Sequence, residues 1–301
     1  MALQIASLVN ENFVGEVSGI DLREPFDDTT RDEIVRAADR YGVLLFRDQP
    51  LSQDELVAFG ERFGPLNVGL QQKIMSKVQS RFKFDAISDI SNVDAQTGQV
   101  AAREHAMAIM NIGNSYWHSD SSYDHYPFRY SFLLGVSAVS HGGATEFADL
   151  RAAYDALDEQ DKTFIADKIA TFYSHNVRIK LGFQDTIEDR TAYPPVQWPM
   201  VRTHPGSGRK LLWCDTKVCA ISGMTTIEAR AFVDEMVEHI AQPGRVYSHF
   251  WTPGDLLMYD NRAVLHRGRR FDLSERREMR RIATVDDVHS LGEVGFEKAA
   301  A

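Results

Sequence analysis

Apolar positions in this chain follow a helical rhythm at first and a strand rhythm from about residue 117 onward. Thr30-Arg31-Asp32-Glu33 has the form of a capping box, which predicts a helix through about Tyr41 with Ile34, Val35 and Ala38 on its buried side. Val43-Leu44-Leu45-Phe46 is a short, continuous apolar run and predicts a buried strand. A second box, Ser52-Gln53-Asp54-Glu55, opens a helix carrying Leu56, Phe59 and Phe63, which Gly64-Pro65 ends. Residues 66–80 and 95–113 show no clean period and predict long loops, either simple disorder or lid or binding loops beside a pocket. Their Leu70, Ile74, Met75, Met107, Ile109 and Met110 would give it an apolar, adaptable lining.

Beyond Trp117 the pattern predicts strands at 129–136 and 145–149, joined by the turn His141-Gly142-Gly143-Ala144. Residues 151–170 are expected to be helical and 183–195 to form a polar loop. Segments 198–203 and 210–213 flank a Pro- and Gly-rich hairpin turn. Thr225-Thr226-Ile227-Glu228 caps a helix running to Ile240, closed by Pro243-Gly244, and strands at 246–251, 255–259 and 280–285 complete the set. Many short strands with few helices between them predict a mainly β fold with flanking helices and a double-stranded β-helix (jelly-roll) core. That core would occupy roughly 115–287, behind a helical and strand framework at 1–114, within a single domain spanning 1–301.

Composition narrows the function classes. The chain has 301 residues, 44% of them hydrophobic and 25% charged, enough apolar material for one large core. A net charge of −10 argues against nucleic acid or an anionic membrane surface, but leaves room for a small anion in a locally basic pocket. Cys214 and Cys219 are too few for a disulfide framework and are expected to be reduced. With no basic segment leading into an apolar run near residue 1, and no apolar run of spanning length, the expected location is the cytoplasm.

The chemistry centres on Tyr116-Trp117-His118-Ser119-Asp120. Residues two apart on an extended strand face the same way, so His118 and Asp120 present an imidazole and a carboxylate side by side. A short His-x-Asp run is usually just a hydrogen-bonded pair at a strand end. One more imidazole would complete the two-His-one-carboxylate face that suits non-haem Fe(II) and leaves coordination positions open, and His266 is the best donor. The other histidines lack this context and are expected to be structural. Arginines 267, 269, 270, 276, 277, 280 and 281 follow, a run that in isolation describes a solvated basic face. Arg277 and Arg281 share one side of an extended strand about 13 Å apart, so the pair could hold two different carboxylates.

Trp117-His118-Ser119-Asp120, Gly142-Gly143-Ala144-Thr145-Glu146-Phe147, Tyr259-Asp260-Asn261, His266 and the Arg277/Arg281 pair together resemble the α-ketoglutarate-dependent dioxygenases of the taurine dioxygenase family. The likeness covers nearly the whole chain, including Asp21-Leu22-Arg23-Glu24 and Phe63-Gly64-Pro65-Leu66. Asn92-Val93 and 151–157 are most similar to the dichlorophenoxyacetate dioxygenases. The resemblance implies that His118, Asp120 and His266 hold Fe(II), and that Arg277 and Thr145 bind the distal carboxylate of α-ketoglutarate. It implies that Arg281 receives a substrate carboxylate, with Asn114 and Lys73 on the substrate side, and that Tyr259 stands where other members carry Trp. The implied reaction consumes O2, with ascorbate in support, and hydroxylates a small carboxylate such as an aryloxyalkanoate. The product falls apart to a phenol and glyoxylate, beside succinate and CO2. Another small anion (a sulfonate or an aliphatic acid) and a non-catalytic binding barrel are the alternatives. Family members commonly assemble from identical subunits, so a homo-oligomer is expected.

Overall fold

The structure, a computed structural model, describes residues 3–9, 12–68, 81–101 and 112–286. Its largest sheet has seven strands in the order Gln4–Val9, Phe13–Ser18, Val43–Phe46, Leu256–Asp260, Phe128–Ser137, Glu278–Val285 and Ser88–Ser91. A three-stranded sheet of Val246–His249, Thr145–Asp149 and Val264–Gly268 provides a second layer. A further three-stranded sheet joins Val218–Ile221, Ile169–Phe172 and Val196–Pro199, and Val201–Thr203 pairs with Lys210–Leu212 as a hairpin. This is the mainly β, jelly-roll architecture that the strand pattern implied, with the framework strands Phe13–Ser18 and Val43–Phe46 extending the same large sheet.

Alternation along the strands sorts the core into three layers. Leu256 and Met258 face outward with Tyr130, Phe132, Leu134 and Ile282, beneath the helices Asp28–Tyr41 and Gln53–Glu61. Leu257, Tyr259, Leu133 and Met279 face inward and meet Phe147 and Val264 of the smaller sheet. Ala148 and Leu265 point out of that sheet into a third cluster, which holds Trp198, Trp213 and the helix residues Val233 and Met236. Each fully buried Leu, Val, Phe or Met side chain contributes about 1.5–3 kcal/mol. The period-two registers of the facing sheets are therefore strongly fixed. The inward positions are also where the polar candidates fall: Ser131 beside Leu133, His266 beside Val264, and Arg277 and Arg281 around Met279.

Several local expectations need correction. The first helix starts at Asp28, capped by Asp27 accepting from the Thr30 amide, so Thr30 lies inside the first turn rather than at the cap. Residues 151–170 form two short helices, Leu150–Asp155 and Glu159–Ile165, because Asp158 caps a new start by accepting from the Asp161 amide. Ile169–Phe172 then leaves helix altogether and pairs on both edges as a strand. The polar stretch 183–195 contains the helix Ile187–Ala192, held by a Thr186/Asp189 capping box and burying no side chain, which is why no apolar period marks it. Thr145–Asp149 does not alternate in burial, since the layers on both of its faces are filled. The apolar lining residues expected at 70–75 and 107–110 lie outside the described residues. No helix among the described residues is long and apolar enough to cross a membrane, and Cys214 and Cys219 are free thiols.

The turn at Gly142-Gly143 joins the fold to the pocket described below. Gly142 has φ +75°, and a Cβ there would lie 2.4 Å from the Arg270 carbonyl oxygen, against which its backbone bridges to Phe271. Gly142→Ala is expected to lower stability by about 1–3 kcal/mol, through left-handed strain and the clash with a backbone atom. Urea denaturation checks this, and an unchanged midpoint would contradict it.

Candidate metal centre and its anion pocket

Closure of the barrel brings the two histidines together. His118 and His266 form an isolated antiparallel bridge, with the His118 amide donating to the His266 carbonyl at 3.1 Å and the reverse bond at 2.8 Å. A directly opposed pair places its side chains on one face, and here the imidazole centroids are 4.3 Å apart. Asp120 lies on the same side, its Oδ1 3.9 Å from His118 Nε2 and its Oδ2 3.7 Å from His266 Nε2. One donor atom from each residue lies within 4.8 Å of the others, and all three residues are buried. His118 Nδ1 is 2.7 Å from the Tyr116 carbonyl, to which it must donate, so the Nε2 lone pair is the one turned toward Asp120.

The carboxylate is braced from several strands. Its Oδ2 accepts from Ser131 Oγ at 3.0 Å and from Tyr259 Oη at 3.1 Å, and its Oδ1 accepts from Arg281 Nη1 at 2.5 Å. Asn261 accepts from the Asp120 amide and donates to Ser131 Oγ, while its carbonyl accepts from Ser119 Oγ at 2.6 Å. Asp260, next to Asn261, is itself gripped by Arg262 through two bonds and by His204 at 3.1 Å, all fully or nearly fully buried. On the other side Asp215 accepts from the Ser119 amide and Ser122 Oγ, and Lys217 Nζ donates to the Ser119 carbonyl at 2.7 Å.

These surroundings set the protonation states. Burial alone would raise the Asp120 carboxyl, but Arg281 and then the two imidazoles outweigh it and hold the group below the usual carboxylate range. Burial pushes His118 down to about 3 and His266 down to about 4, against an ordinary value of 6.5. Both rings are thus neutral at pH 7, the state in which imidazole binds a metal. Two imidazole nitrogens and a carboxylate on one side of a buried point fit a divalent metal of the non-haem iron type.

The arginine run divides by partner. Arg267 and Arg269 pair with Glu146, while Arg276 and Arg280 pair with Glu278, which Arg81 also holds. Arg277 and Arg281 turn inward, as the strand alternation required. Arg277 is 8% exposed, its Nε donates to the Gly143 carbonyl at 3.2 Å, and it has no carboxylate partner among the described residues. Burial pulls it down to about 10. It lines a cavity of about 240 Å³ with Gly142, Gly143, Trp251 and Met279. Thr145 reaches this cavity indirectly, its Oγ1 accepting from Trp251 Nε1 at 3.0 Å.

Of the other candidates, Asn114 is half-buried on the approach to His118, with its carbonyl accepting from the Gly268 amide at 2.8 Å. Lys73 lies outside the described residues. Sequence reasoning did not single out Ser131, Asn261, Asp215 or Lys217. A lysine following Trp213-Cys214-Asp215-Thr216 and preceding Val218 was the available signal for the last, since charge inside a buried stretch requires a partner. His204 joins Asp39 and Asp260 in a second cluster, but Arg262 and Ser207 already engage it.

The depressed histidines carry a pH dependence. Between about 4 and 6.5 the unfolded chain takes up protons that the buried imidazoles refuse, so the unfolded state gains as pH falls. The metal-free protein is expected to keep this part of its stability above pH 6.5 and to lose it as pH drops through that window. Urea midpoints measured across the window check it: His266→Gln should flatten the slope, and an equal slope in both proteins would contradict the assignment.

Residues 4–283 match the model of the taurine catabolism dioxygenase TauD, TfdA family. The chain is 45% identical over 284 residues to an α-ketoglutarate-dependent 2,4-dichlorophenoxyacetate dioxygenase of Cupriavidus pinatubonensis (strain JMP 134 / LMG 1197), covering 94% of this chain and 98% of the relative. It is 33% identical to an (S)-phenoxypropionate/α-ketoglutarate dioxygenase of Sphingobium herbicidovorans, over 92% of this chain and 93% of that one. Among solved structures it superimposes on AAD-2 in complex with Mn(II) and N-oxalylglycine, with a TM-score of 0.86 and 37% identity, covering 95% and 97% of the two chains.

Proposed function

Because the chain belongs to the TauD, TfdA family of taurine catabolism dioxygenases, we propose that it cleaves aryloxyalkanoates such as dichlorophenoxyacetate, with the residues assembled above as its site. It is an α-ketoglutarate-dependent dioxygenase that uses Fe(II) and O2. The observation that carries the site assignment is the buried His118/Asp120/His266 cluster, with Arg277 a second buried feature of the same inward face, a cation without a carboxylate partner among the described residues.

In this reading His118, Asp120 and His266 hold the metal, and Arg277 binds the distal carboxylate of α-ketoglutarate as a charge-assisted pair. Thr145, fixed by the Trp251 indole, supports the same end. When bound, the iron with α-ketoglutarate and O2 supplies the oxidising equivalents for hydroxylating a C–H bond, with succinate and CO2 as co-products. The chain's own work is placement. Ser131 and Tyr259 fix the Asp120 carboxylate, Phe147 and Met279 keep the interior dry, and Arg281 receives the substrate carboxylate, with Asn114 and Lys73 on the same side. Held by that carboxylate, an aryloxyacetate offers the carbon between its ether oxygen and its carboxylate. Hydroxylation there gives a hemiacetal, which collapses to a phenol and glyoxylate.

Arg277→Ala is expected to raise the KM for α-ketoglutarate by about 30-fold or more, since losing one side of a buried charge pair costs about 2–5 kcal/mol. Steady-state kinetics at saturating organic substrate check this, and a KM within a few-fold of the parent value would contradict the role. Phenoxyacetate and its chlorinated relatives should release phenol stoichiometrically with succinate, while taurine, whose ammonium finds no dedicated acidic partner among the described residues, should release little sulfite. Comparable kcat/KM for taurine, or phenoxyacetates that leave succinate at its uncoupled background, would overturn the substrate reading.

A further inference from the structure

We propose that Lys217 is a specificity-determining residue, the second cation, beside Arg281, of the receptor for the substrate carboxylate. The inference rests on the aryloxyalkanoate reading above. Lys217 is only 9% exposed, which is rare for lysine without a charge partner. One N–H of its ammonium donates to the Ser119 carbonyl at 2.7 Å, and the nitrogen lies 4.9 Å over the Tyr123 ring. Among the described residues no carboxylate comes within ion-pair distance of it. The carboxylates that influence it most are Asp215 and Asp120, and both are committed elsewhere. Asp215 accepts from the Ser119 and Lys217 amides and from Ser122 Oγ, while Asp120 accepts from Arg281, Ser131 and Tyr259.

Arg281 is in a matching position. Only Nη1 of its guanidinium meets Asp120, and its Nε is buried with no hydrogen-bond partner among the described residues. Two buried cations thus stand over one metal-facing carboxylate with donors to spare, an arrangement that costs free energy unless an anion completes it.

The charges indicate how large that anion is. A divalent metal and dianionic α-ketoglutarate cancel each other. Among the described residues, Arg277, Arg281 and Lys217 then outnumber Asp120 and Asp215 by a single positive charge, the imidazoles being uncharged when they donate to a metal. A monoanionic carboxylate completes the site, whereas a zwitterion brings an ammonium among the cations. Tyr123, close to both Lys217 and Arg281, and Phe128, whose ring lies 5.8 Å from the Arg281 guanidinium carbon, give the carboxylate end an aromatic flank.

The test is calorimetric binding under nitrogen to protein loaded with Mn(II) and α-ketoglutarate. The probes are 2,4-dichlorophenoxyacetate and its uncharged amide. The parent protein should bind the acid much more tightly than the amide. Lys217→Met should weaken the acid by about tenfold or more while leaving the amide within about threefold, and Lys217→Arg should recover most of the loss. Lys217→Gln keeps an N–H for the Ser119 carbonyl without the charge, and should behave like Lys217→Met even if the latter folds poorly. Equal losses for acid and amide, or an unchanged affinity for the acid, would show that Lys217 only braces the Ser119 backbone. Failure of the parent protein to bind the acid would remove the aryloxyalkanoate reading itself, and the proposal with it.

Discussion

A single buried carboxylate dictates most of what surrounds it. Asp120 is 6% exposed and stays ionised chiefly because the Arg281 charge outweighs its burial, and Ser131 Oγ and Tyr259 Oη donate to it as well. Each of those groups must come from an inward position on a different strand, Arg281 on Glu278–Val285, Ser131 on Phe128–Ser137 and Tyr259 on Leu256–Asp260. These three strands are neighbours in the large sheet, in registers that the apolar layer on the opposite face enforces. A one-residue slip of any of them would bury apolar groups around the carboxylate and carry its donors to the outer face.

The bridge between His118 and His266 ties this arrangement to the second layer. It extends the smaller sheet by one residue pair, so the segment bearing Asp120 is fixed by backbone bonds before any ligand arrives. Further bracing by Asn261, Asp215 and Lys217 leaves the donor atoms little freedom, as a preorganised metal site requires. The same rigidity leaves Arg277 buried beside a cavity with no carboxylate partner among the described residues, a state with an energetic cost that a bound anion would relieve.

Much of this was legible in the sequence. The Ser52 and Thr225 capping boxes, the Val43–Phe46 strand and the strands Val246–His249, Leu256–Asp260 and Glu278–Val285 follow from local chemistry and fall close to where expected. The strand Val264–Gly268 that carries His266 was not anticipated. His118, Asp120 and His266 are brought together, and the shared facing of Arg277 and Arg281 follows from the two-residue repeat. What was not legible depended on tertiary partners. The helix expected at 151–170 ran into Ile169 and Ala170 because nothing local distinguishes them from the preceding turns, and only pairing on both edges makes Ile169–Phe172 a strand. Arg281 was expected to receive a substrate carboxylate, and its bond to Asp120 arises from sheet closure across 161 residues of separation. Lys217 likewise gains its meaning from the Ser119 carbonyl, 98 residues away.

Visible absorption of the anaerobic protein with Fe(II) and α-ketoglutarate reads out whether His118, Asp120 and His266 hold one iron onto which α-ketoglutarate can bind. A weak charge-transfer band is expected in the parent chain, lost in His266→Ala while the variant stays folded. A band of normal intensity in folded His266→Ala would contradict it.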